Sequence, residues 1–140
     1  MQVALPDSPA ARLTGLMQRL KACLNKCCNK SGLSRDQILD RLNDMANAAG
    51  VKLTAGNSKA LSNATLEKWL NPQNRDHQPG VVPVNAICAA LDDYRPLALL
   101  LEIHGLEVMS EEDRFALDYG KTCLAARKAA QEKKKLEAQL

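Results

Sequence analysis

The sequence predicts an all-α protein of five short helices followed by a longer C-terminal helix. Three observations predict it. Aromatic residues are 3% of the 140, so the core is aliphatic, and an Ala/Leu-rich chain leans helical. Apolar residues recur at i, i+3 and i+4 in successive segments, the spacing of one buried helical face. Two capping boxes, "SRDQ" at Ser34 and "SEED" at Ser110, mark helix starts.

Residues 1–10, with two prolines and an Asp-Ser pair, read as a flexible arm. The first helix is expected from about Ala11 to Lys30. Its apolar stripe includes Leu13, Leu16, Met17, Leu20, Cys23, Leu24, Cys27 and Cys28, with Arg12, Arg19, Lys21, Lys26 and Lys30 on the remaining faces. Ser31-Gly32 ends it, since glycine tolerates the left-handed backbone of a helix end. The second helix starts at the Ser34 cap. It turns Ile38, Leu39, Leu42 and Met45 inward and stops near Ala49-Gly50. Leu33, just before the cap, is placed to pack on Ile38.

Residues 50–61, "GVKLTAGNSKAL", fit either a short strand or hairpin or an irregular loop. The third helix carries the only tryptophan. Ser62 or Asn63 caps it, Leu66, Trp69 and Leu70 share its buried face, and Pro72 ends it. After the polar loop "NPQNRDHQPGV", a fourth helix is expected from about Pro83, with Val84, Ile87, Cys88 and Leu91 inward. Pro96 opens a fifth helix, "PLALLLEIHG", apolar almost all round and therefore expected at the centre. "LEVM" fits a short extended piece. The last helix starts at Ser110 with three acids on its positive dipole end, and it ends in a sparsely apolar, basic tail.

Charge is segregated along the chain. Residues 1–75 carry a net +6, residues 76–120 a net −7 and residues 121–140 a net +4. A basic first half suits a polyanion partner. No segment has the length and apolarity of a membrane span, and no basic flank precedes an apolar run at the N-terminus, so a cytoplasmic protein is expected. The five cysteines are odd in number, and "CLNKCC" lacks a second zinc-type pair, so the thiols are expected to act as small hydrophobes with no metal. There is no Gly-rich phosphate loop and no H-E-x-x-H, and neither His77 nor His104 has a nucleophile beside it in sequence. No enzymatic activity, cofactor or small-molecule substrate is expected.

The order of elements resembles the lambda-repressor-like (Xre-type) helix-turn-helix domain. "GLSRDQILDRLNDMA" stands where that family has its scaffold helix, and "LSNATLEKWLNP" where it has its recognition helix. With "VPVNAICAALDDYRPLALLLEIHG" downstream, residues 16–110 look like the small regulators of Mu-like phages and prophages. One departure is plain: about a dozen residues separate the motif helices here, where the family has a tight turn.

The resemblance implies a helix-turn-helix DNA-binding domain over residues 11–110 and a C-terminal helix with a basic tail over 111–140. It also implies a regulator of double-stranded DNA that works as a homodimer. The third helix would enter the major groove with Ser62, Asn63, Thr65 and Lys68 toward bases or phosphates. Asn pairs with adenine, and Thr offers a hydroxyl and a methyl. Gln37 resembles the family's phosphate-clamping residue, although its capping-box role needs no DNA. Arg35, Lys52, Lys59 and Arg75 flank the motif as phosphate contacts, and Asn71, Gln73 and Asn74 can meet backbone. A module that keeps this fold but binds another protein is the competing expectation.

Overall fold

The computed structural model describes residues 8–56 and 60–140. They form seven helices and no strand. The helices are α1 (Pro9–Leu13), α2 (Leu16–Lys30), α3 (Arg35–Ala49), α4 (Asn63–Leu70), α5 (Val81–Leu91), α6 (Arg95–Glu102) and α7 (Glu111–Glu137). The chain divides into two compact units, one up to Glu107 and the other Val108–Leu140. No helix among the described residues is long and apolar enough to cross a membrane.

The expected first helix is two helices. Thr14 is extended and Gly15 takes φ +69°, a left-handed backbone that glycine adopts without a Cβ penalty. Periodicity alone missed the break, because Leu13 and Leu16 keep helical spacing across it. Leu13 is exposed as a result. Ahead of the break, the Ser8 hydroxyl accepts from the Ala11 amide and Pro9 takes the first helical position.

Both halves of the Ser34 capping box form. The Ser34 hydroxyl accepts from the Gln37 amide at 3.1 Å, and the Ser34 amide donates to Gln37 Oε1 at 2.9 Å. Gly50 ends α3 at φ +67°. In place of a strand or hairpin, the described part of 50–61 is irregular. It is held by burial of Leu53 and Leu61, which is why its sequence alternates without a ladder to join.

One core gathers the first unit. Leu20, Leu24 and Cys28 from α2 meet Ile38, Leu39 and Leu42 from α3, Leu66, Trp69 and Leu70 from α4, and Val84 and Ile87 from α5. Each buried leucine or isoleucine stabilises by roughly 1.5–3 kcal/mol. α4 packs against both α2 and α3, and α5 packs against α2, α3 and α6.

α5 begins two residues earlier than expected, at Val81 with Gly80 as its cap, so Pro83 is buried inside the first turn. α6 does not lie at the centre. Only Pro96 is buried in it, and Leu97 to Leu101 are half-buried at the rim. Its place at the rim was not legible from sequence, because it depends on how much of α6 the distant helices α2 and α5 cover.

Polar ties close the bundle. Arg41 donates to the Ala90 carbonyl at 3.0 Å, joining α3 to the end of α5. Arg12 donates to the Ile103 carbonyl at 3.1 Å. Asp93 accepts from Arg95 Nε at 2.9 Å and from the Cys27 thiol, and these bonds hold its carboxyl well below the usual range. Burial, with that bond to Asp93, pushes the Cys27 thiol up to about 12, and burial pushes Cys28 to about 11. Cys88 is raised by burial too. These thiols sit in the apolar interior in protonated form.

Candidate nucleic-acid interface

The short helix α4 is built from a local sequence that divides its faces. Ser62 is its cap, accepting from the Thr65 amide at 3.2 Å and donating to Thr65 Oγ1 at 3.1 Å. Leu66, Trp69 and Leu70 are buried beneath it. Ser62, Asn63, Glu67 and Lys68 are exposed, and Thr65 is half-buried. Asn63 thus stands at the outer tip, one residue inside the cap.

The junction that sets α4's position is a side-chain clamp absent from the sequence reading. Asn43 on α3 accepts from the Leu61 amide at 2.8 Å and donates to the Leu61 carbonyl at 3.2 Å. A primary amide offers one donor edge and one acceptor edge, so it satisfies both backbone groups of one residue. Leu61 immediately precedes the cap. The insertion therefore leaves α3 at Gly50 and is returned to α3 before α4 begins.

Arg35 sits at the other edge of α4. Its Nε donates to Glu67 at 2.8 Å, and its Nη2 donates to Asn29 at 2.9 Å and Asn25 at 3.0 Å. The guanidinium ties α2, α3 and α4 together and offsets the one carboxylate on α4. Gln37 spends its oxygen on the cap, and its amide NH₂ remains for another acceptor at the exposed end of α3. Lys52 is exposed in the insertion. Lys59 lies outside the described residues.

The loop after α4 is ordered by its own asparagines. Asn71 Oδ1 accepts from the Gln73 amide at 3.0 Å. Asn74 Oδ1 accepts from the amides of Asp76 and His77, each at 3.1 Å. These are Asx turns, in which the side chain stands in for a backbone acceptor. Gln73 and Arg75 point to solvent.

Lys21 does not occupy the outer face of the first helix that its charge predicts; it points inward. It is the one buried charged side chain among the described residues, 1% exposed, and its ammonium donates to the Asn74 carbonyl. Burial lowers its pKa. Position 21 continues the spacing of Met17, Leu24 and Cys28, which was the signal available. From the inward face of α2, Lys21 holds the loop that presents Gln73 and Arg75.

Comparison with family models, curated proteins and solved structures gave no match.

What the geometry brings together is therefore decisive. Asn63, Lys68, Gln37, Gln73 and Arg75 belong to α4 or to segments held against its flanks. Ser62, Thr65, Asn71 and Asn74 are used locally as caps and turns, while keeping further hydrogen-bonding capacity. A cavity of about 620 Å³ opens beside the start of α4, lined by Ser62, Thr65, Trp69, His77 and the 53–56 stretch among others.

Proposed function

We propose that this protein is a sequence-preferring, non-enzymatic DNA-binding regulator of phage or prophage type. In this reading it has the lambda-repressor-like helix-turn-helix arrangement and acts as a homodimer on double-stranded DNA. The observation that carries the reading is the division of α4: a face fixed by Leu66, Trp69 and Leu70, and a polar tip at Ser62-Asn63 left in solvent.

In the proposed mechanism α3 is the scaffold helix and α4 enters the major groove. Asn63 reads a base edge with its paired donor and acceptor. Thr65, one turn inside the helix and half-buried, contributes its methyl and hydroxyl. Lys52, Lys68 and Arg75 neutralise phosphates, and the free NH₂ of Gln37 donates to one. Arg35 acts indirectly, by silencing Glu67 and bracing α4. The long connection between the motif helices is supported in this role by the Asn43 clamp, which fixes where α4 starts.

Selection of bound sequences from a random duplex pool tests this directly. Enrichment of a defined motif, lost in Asn63→Ala, is expected. Recovery of no motif, with no retention on duplex DNA at low salt, would overturn it.

A second reading, a protein-binding module on the same fold, is favoured by one observation. Leu97 to Leu101 of α6 are only half-buried, and Val81 and Val82 at the start of α5 are exposed. Substitution of Leu101 by Ser that abolishes activity in the host without changing duplex binding would favour this reading.

A further inference from the structure

α7 is a 27-residue helix with no buried residue. Such a helix lacks the tertiary packing that supplies most helical stability. Gly120 within it weakens it further, by about 1 kcal/mol relative to alanine. Yet Phe115 and Tyr119 are 74% and 66% exposed, and Leu136 65%. Steps of alternately four and three residues, from Phe115 to Leu136, trace one seam along it, and Leu140 continues the spacing in the turn after the helix. That is the 3.5-residue repeat that a second helix covers by knobs-into-holes packing.

We propose that α7 is a self-association helix that pairs antiparallel with α7 of a second copy of this chain. The order of side chains along the seam selects the occupant and its direction. In the antiparallel register, Tyr119 faces the second copy's Leu136, and Phe115 lies over the turn that carries its Leu140. Thr122 faces Lys133, and Ala126 faces Ala129. Large side chains meet large ones at both ends, and small ones meet at the centre, where the backbones approach closely. Lys133 lays its methylene stem against a threonine and frees its ammonium at the edge. A parallel pair would set Lys133 on Lys133. Opposed helix dipoles add to the preference. The four aromatic side chains of the two copies carry on the order of 600–1,000 Å². A specific interface needs roughly 1,000 Å², so full burial of these rings with the leucines and alanines is what the pairing requires.

The seam rests on the proposed homodimer for its stoichiometry and is independent of what α4 touches. The test is sedimentation equilibrium of the full chain at tens of micromolar, with and without Ala126→Asp and Ala129→Asp. The native chain should sediment at twice the chain mass and the double variant at the single mass. Trp69 fluorescence melts should be unchanged, since no α7 residue is in that core. Spin labels on Arg114→Cys and, separately, Lys128→Cys, in a Cys23→Ser, Cys123→Ser background, report direction. Antiparallel pairing gives about 40 Å between the Arg114 sites and less than about 25 Å between the Lys128 sites. Short distances at both sites would overturn the antiparallel pairing. A native monomer would overturn the seam and the proposed homodimer together. A dimer that survives both aspartates would overturn the seam and leave the proposed homodimer standing.

Discussion

Trp69 and Asn63 sit six residues apart on one short helix and serve opposite ends of it. Trp69 is 5% exposed among leucines, so Trp69→Ala should cost on the order of 3–5 kcal/mol and lower or abolish the cooperative thermal transition in circular dichroism. Asn63 is exposed, so Asn63→Ala should leave stability within about 0.5 kcal/mol. Under the proposed function it weakens binding to the selected site by roughly 1–3 kcal/mol, measured by titration of a labelled duplex. Unchanged affinity for that duplex would remove Asn63 from the reading surface. Trp69 was legible because it shares helical spacing with Leu66 and Leu70. Lys21 was not, because residue type outweighed its place on the stripe.

The buried thiols make stability fall on the alkaline side. Cys27 and Cys28 ionise at about 12 and about 11 when folded, against 9.0 ordinarily. Between these values the folded chain holds protons that the unfolded chain has lost, so stability drops as pH rises above about 9. The loss from pH 7 to 10 is on the order of 3 kcal/mol for the pair. Lys21 acts the other way, because its lowered pKa lets the unfolded chain bind the extra proton, and it offsets part of the fall. Urea titrations under reducing conditions, followed by Trp69 fluorescence, measure the net slope. Cys27→Ala with Cys28→Ala should flatten it.

At the scale of elements, α3 and α4 owe their bounds to local chemistry and their relation to one distant contact. The Ser34–Gln37 box and the Gly50 stop were readable directly from residue order. The Asn43 clamp on Leu61 was not, because it spans eighteen residues and uses a side chain on what looks like a solvated face. Asn43→Ala leaves both Leu61 backbone groups unpaired, so a loss of about 1–3 kcal/mol is expected. Hydrogen exchange at the Leu61 amide should speed up well beyond the global change. If α4 reads DNA, the same variant should lose specific affinity although it touches no base. Equal protection of Leu61 in both proteins would show the clamp to be idle.

For the whole molecule, charge distribution governs what the chain approaches. The excess cations of residues 1–75 include Lys52 in the 50–61 connection, Lys68 on α4 and Arg75 in the loop after it, all exposed. Under the proposed function, retention on random duplex DNA should fall steeply with salt. Each of Lys68→Ala and Arg75→Ala should reduce the logarithmic salt slope by about 1. A flat salt dependence in the native protein would favour the protein-binding reading, in which the half-buried leucines of α6 are the functional surface.

By itself the sequence determined the helical class, the caps at Ser34, Ser62 and Ser110, the stops at Gly50 and before Pro72, and the buried face of α4. All of these follow from interactions within one or two turns. Only the tertiary structure decided the break at Gly15, the rim position of α6, the burial of Lys21 and the anchoring of the 50–61 connection. The physical reason is common to all four. Each depends on which distant group can satisfy or exclude a local one, and periodicity carries no record of a partner many residues away.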